Sequence, residues 1–120
     1  RDNSWQSMTK TEKKIDNNLR KVLTNVCDDA KDEIQGFQWL THSVNYANFP
    51  ASLKLICVFE SNADIAQLTT SKQDLRLHGL LTQALSSIGV KLKNISKQVK
   101  LDSEENCTRD NAGNWAKRLG

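Results

Sequence analysis

The chain has 120 residues, 38% hydrophobic and 26% charged, with a formal net charge of +3. That length fits one domain around one core, and a single proline with five glycines excludes long disordered linkers. The longest apolar run, Leu55 to Phe59, is far too short to span a bilayer, so no membrane partner is expected.

Arg1 to Ser7 reads as a leader ahead of Met8, and residues 8–120 read as a single domain. The first element is a long helix over Thr9 to Gln35. Ile15, Leu19, Val22, Leu23, Val26, Ala30 and Ile34 form one stripe of a 3.6-residue repeat. Thr9 and Glu12 form a capping-box pattern, and Gly36 supplies a left-handed stop. Phe37 to Tyr46 is strand-like, with Phe37 and Trp39 on one face and Leu40, Val44 and Tyr46 on the other. A turn around Pro50 leads into a second strand, Leu53 to Phe59, and the two are expected to pair antiparallel.

Asn62 is then expected to cap a short helix ending near Leu68. A second helix follows from Ser71 to Ile88, with Leu77, Leu80, Leu81, Ala84, Leu85 and Ile88 as its buried stripe. Over Val90 to Leu101 the apolar residues alternate, but their parity switches near Asn94. That pattern predicts one bulged strand or two strands. The polar stretch after Asp102 is long enough for one or two helical turns, and Trp115 to Leu119 for a last one. The fold class is α+β. An antiparallel-rich sheet of three to four strands carries the long N-terminal helix and the central helical pair.

Charge is distributed unevenly. Residues 9–23 sum to +3 and residues 24–35 to −3. The long helix is therefore basic where its macrodipole is positive and acidic where it is negative, against a preference of about 0.3–1 kcal/mol per charge. Residues 91–100 carry Lys91, Lys93, Lys97 and Lys100 with no acid, and residues 102–110 carry four acids against Arg109. Matching blocks of both signs point to pairing within the chain or with an antiparallel second copy, hence a homodimer as one expected partner. The functional alternative is contact with nucleic acid or an acidic protein through Lys10, Lys13, Lys14, Lys91, Lys93, Lys97 and Lys100. Residues 62–88 have the outline of a helix-turn-helix, but the leucines of the second helix call for burial.

Chemistry is sparse. His42 and His78 have no ligand partner at metal spacing, and no phosphate loop or nucleophile elbow occurs. No catalytic, cofactor or metal residue is assigned, and no cofactor is expected. Glu60, with Asp64 after it, and Asp102, Glu104 and Glu105 lie at strand ends, and Glu60, Asp102 and Glu104 are the acids that a metal-dependent hydrolase or nuclease would use. Trp39, His42 and Tyr46 are the candidates for a ligand cleft. Cys27 and Cys57 read as small buried hydrophobes, and Cys107 as the most polar-flanked thiol. An odd count of widely spaced cysteines, with no signal sequence, leads to a cytoplasmic expectation.

Four segments carry a resemblance. They are Phe37-Gln38-Trp39-Leu40-Thr41-His42, the run from Asn48 to Lys54, Cys57-Val58-Phe59, and the ending from Asp102 through Trp115. Over Met8 to Gly120 the chain resembles a group of small bacterial proteins, some labelled Fis-family transcriptional regulator. The resemblance implies DNA binding and brings no catalytic residues. Fis proteins end in a helix-turn-helix, whereas this chain ends in a lysine-rich stretch and an acidic, Asn-rich tail. The expectation is a non-catalytic binding domain, with a nucleic-acid-binding regulator and then a metal-dependent hydrolase as alternatives.

Overall fold

A computed structural model describes residues 9–120. The leader expected at residues 1–7, and its boundary at Met8, lie outside the described residues. The fold is α+β, with the long helix first. In chain order the elements are α1 (Lys10–Glu33), β1 (Phe37–Ser43), a single 3-10 turn (Tyr46–Asn48), β2 (Lys54–Phe59), α2 (Asn62–Thr70) and α3 (Gln73–Ser87). Then come α4 (Ile95–Gln98), β3 (Val99–Ser103), α5 (Glu104–Asn111) and α6 (Trp115–Leu119).

Local chemistry sets the boundaries. Thr9 caps α1 in a reciprocal box with Glu12, at 3.1 and 3.0 Å. Gly36, at φ +80°, turns the chain from α1 into β1, and a Cβ there would run into the Asp64 side chain. Ser61, rather than Asn62, caps α2 through Asp64. Asn62 instead bonds Ser103 and Asn106, tying the start of α2 to the β3–α5 junction.

Among the described residues the sheet has three strands in the order β1-β2-β3. β1 and β2 pair antiparallel, as expected, but β2 and β3 pair parallel, so the sheet is mixed. A parallel neighbour needs a long crossover, and α2, α3 and α4 provide it. The expected strand or strands over 90–101 resolve into an irregular segment, the turn of α4, and β3. The parity switch near Asn94 therefore marks a helical turn: Ile95 and Val99 are four residues apart, one turn of α4, and alternation resumes only in β3.

A bulge between Phe37 and Trp39 corrects the expected faces of β1. Phe37 is opposite Phe59 and meets it edge-on at 5.6 Å in the core, while Trp39 is opposite Val58 on the other face. The core lies between the sheet and the helices. Leu19, Leu23, Val26 and Ala30 of α1, Leu55, Cys57 and Phe59 of β2, and Leu77, Leu81 and Leu85 of α3 are all buried. α1 and α3 run antiparallel: Arg76, near the start of α3, grips Glu33 at the end of α1 at 2.8 Å. Ser87 at the other end of α3 lies by Val22 of α1. Among the described residues no helix is long and apolar enough to cross a membrane.

Candidate functional site

Three places in the fold gather chemically capable side chains. The first lies between α1 and β1. Asp16 is 3% exposed and occupies the buried stripe of α1 with Leu19, Leu23, Val26 and Ala30. A carboxylate buried there needs donors, and three neighbours supply them. Arg20 Nε donates at 2.7 Å from the next turn of α1, and Tyr46 Oη at 2.9 Å from the 3-10 turn. His42 Nε2, from β1, lies at 3.2 Å. Burial alone would raise the Asp16 pKa. The hydrogen bonds from Arg20, Tyr46 and His42 outweigh it and hold the carboxyl below its ordinary value. Burial and the same Asp16 contact push the Tyr46 hydroxyl up. These groups line one side of a groove of about 550 Å³, whose floor includes Leu23, Leu40 and Val44.

Of the expected cleft residues, His42 and Tyr46 therefore meet, and Trp39 is not with them. Asp16, which joins them, went unrecognised among the charges of a solvated helix. A signal was present: positions 16, 19, 23, 26 and 30 alternate spacings of three and four, so Asp16 falls on the most regular version of the apolar stripe.

The second place is the opposite face of the sheet. Trp39 meets Trp115 edge-on at 4.9 Å. Both indoles donate to Glu104, Trp39 at 2.9 Å and Trp115 at 2.7 Å. Beside them Arg118 clamps Asp102 at 2.6 and 3.1 Å. Burial would raise the Asp102 pKa, but Arg118, the Ser103 amide and Asn106 together lower it. Asp102 and Glu104 thus hold the C-terminal helices to the sheet. Glu60 is exposed, and among the described residues no group of three or more His, Cys, Asp or Glu could hold a metal ion. The three acids weighed for a hydrolase do not form a ligand set. Cys107 has no exposed surface, and burial raises its thiol pKa. Cys57 is likewise buried and pushed up to about 12. Neither is a poised nucleophile.

The third place is where the chain leaves α3. The last residue of α3, Ser87, lies by Val22, twelve residues along α1 from Lys10, so Lys91 and Lys93 set out from beside the middle of α1 and not from its start. Lys97 follows on α4, before β3 starts opposite Leu55. Lys100 is one step into β3, opposite Ile56. Lys91, Lys93 and Lys97 rim a hollow of about 470 Å³ that also includes Pro50, Ala51 and Leu92. Among the described residues, Lys10, Lys14, Lys91, Lys93, Lys97 and Lys100 pair with no acid; the acids that pair do so with arginines or His42. Among the described residues these six lysines therefore do not pair with the acidic blocks.

The helix-turn-helix outline of residues 62–88 is occupied by α2 and α3, but Leu77, Leu80, Leu81 and Leu85 are buried and Arg76 is held by Glu33. Comparison with protein-family models, with curated proteins and with solved structures returned no match.

Proposed function

We propose that the chain is a binding domain without catalytic chemistry of its own, and that its lysine-rimmed hollow receives an acidic partner. The observation that carries this reading is the set Lys91, Lys93 and Lys97, which rim one hollow and have no acidic partner among the described residues. They come from the segment after α3 and from α4. Like charges gathered around one hollow repel one another, so the arrangement costs stability unless something of opposite sign relieves it. The hollow beside Leu92 and Pro50 adds an apolar surface for the non-ionic part of such a partner.

A nucleic-acid-binding regulator is the second reading. Lys91, Lys93 and Lys97 favour it, since they follow one another closely around one hollow, as does the resemblance to proteins labelled as regulators. Phosphate contacts would make such binding strongly salt-dependent.

Titration of the chain with duplex DNA, single-stranded RNA and polyglutamate, each at two salt concentrations, tests both readings. Binding to polyglutamate alone supports the acidic-protein partner, and binding to a nucleic acid with a steep salt slope supports the regulator. No binding to any of the three, or binding that ignores salt, removes the lysine-rimmed hollow as the site.

A further inference from the structure

We propose that β1 is the edge to which a second copy of this chain adds. In this assembly the two β1 strands pair antiparallel and the two α1 helices lie antiparallel beside them on one face of a continuous sheet. Among the described residues β1 is an outer strand. Its backbone hydrogen-bonds to β2 and, at its first residue only, from the Phe37 amide to the Ile34 carbonyl at 3.3 Å. Edge strands that stay single are blunted by charge, proline or shortness. Phe37 to Ser43 has seven residues, none charged and none proline, and only the bulge near Phe37 interrupts it. The other edge is different: β3 has five residues, and two of them are Lys100 and Asp102.

The occupant is identified by charge. The groove beside β1 has Leu40 of the strand and Leu23 and Thr24 of the helix among its lining residues, each close to the middle of its element. Arg20 and Asp28 line the same groove, each four residues from Thr24 on opposite sides. Antiparallel strands are related by two-fold axes perpendicular to their sheet, which keep both helices on one face. An axis passing by Leu40 and Thr24 brings Arg20 of each copy toward Asp28 of the other. Asp28 has no cation partner among the described residues. Arg20 uses its Nε on Asp16 and keeps an exposed side chain, so its terminal nitrogens can take a second carboxylate.

The same axis lays the basic half of each α1 along the acidic half of the other. That accounts for a charge order that works against the helix macrodipole. An unrelated extended peptide could pair with the strand but would leave this self-complementary order unexplained. The interface uses none of Lys91, Lys93 and Lys97, so either reading can fail while the other stands.

Sedimentation of the full chain at low and high salt tests the proposal. The expected result is a dimer at low salt that weakens as salt rises. Asp28→Arg and Arg20→Glu should each weaken self-association by about tenfold, since each turns two attractive contacts into repulsive ones. An equimolar mixture of the two variants should recover a heterodimer, because both contacts are then attractive again. Hydrogen exchange of the β1 amides gives a reading that needs no variant: protection should rise with protein concentration. A monomer under all conditions overturns the proposal. So does a dimer indifferent to Asp28→Arg, β1 exchange independent of concentration, or a monomer that takes up an extended peptide along β1.

Discussion

Burying a carboxylate is costly unless its oxygens are satisfied, and Asp16 meets that condition with three side chains from three elements. It is thus a fastening point between α1, β1 and the turn that follows. Asp16→Ala leaves the Tyr46 hydroxyl and His42 without their acceptor. A loss of about 2–3 kcal/mol is expected in urea denaturation. Tyr46→Phe removes one donor and should cost about 1 kcal/mol. Asp16 and Asp102 both have carboxyls held below their ordinary value in the folded state. Each therefore contributes stability that is fully present above the unfolded value, about pH 4, and is lost as the pH falls through the folded value. Urea midpoints should fall below about pH 4, and Asp16→Asn should flatten part of that fall. At this scale the sequence concealed more than it revealed. His42, Tyr46 and Trp39 stand out as large side chains, and alternation sets Trp39 on the face opposite His42, but that His42 and Tyr46 meet on Asp16 depends on where α1 lies against β1. Asp16 could be read from its spacing, but a charge on a charged helix is ordinarily solvated.

Among the elements, α6 owes its place to contacts beyond its own length. A helix of five residues cannot persist alone. Trp115 anchors it on Trp39 and Glu104, and Arg118 on Asp102. Trp115→Ala removes a half-buried ring and one of the two donors to Glu104. It should cost about 2–3 kcal/mol and alter the emission of Trp39, both measurable in one fluorescence-monitored titration. The long helix, the two antiparallel strands and the helical pair were legible because each carries a full period of its pattern. The bounds of α1 differ from the expected ones by a residue or two, and its cap is the expected Thr9. The segment from 90 to 98 was not legible as a loop and a turn. Its apolar residues fit alternation, and four helical residues are too few to show a period of 3.6. β3 itself, Val99–Ser103, falls largely within the stretch read as strand.

Across the whole molecule, charge is separated by the fold. α3 ends by Val22, at the inner limit of the basic half of α1. The acidic half of α1 lies at the end that holds Glu33, Glu60, Asp64 and the start of α5. If the lysine-rimmed hollow contacts a nucleic acid, each of Lys91, Lys93 and Lys97 replaced by Ala should lower the salt slope of binding by about one. Their replacement should leave the urea midpoint almost unchanged, since all three are exposed and make no ion pair among the described residues. The local charge sums could be read from the chain, but their meaning could not. Blocks of opposite sign near one another in sequence looked ready to pair, but Asp16, Glu33, Asp102 and Asp110 pair with arginines or His42 instead.

The amino-acid order by itself determined the elements and the class of fold, because helix and strand formation respond to apolar spacing, caps and turn residues within a few positions. Tertiary structure decided the rest: the parallel docking of β3, the meeting of Asp16 with His42 and Tyr46, the contact of Trp39 with Trp115, and the hollow that Lys91, Lys93 and Lys97 rim. Each of these depends on which distant segments lie side by side. That is settled by the burial of the whole core and the register of the sheet, and not by any pattern a short window of sequence contains.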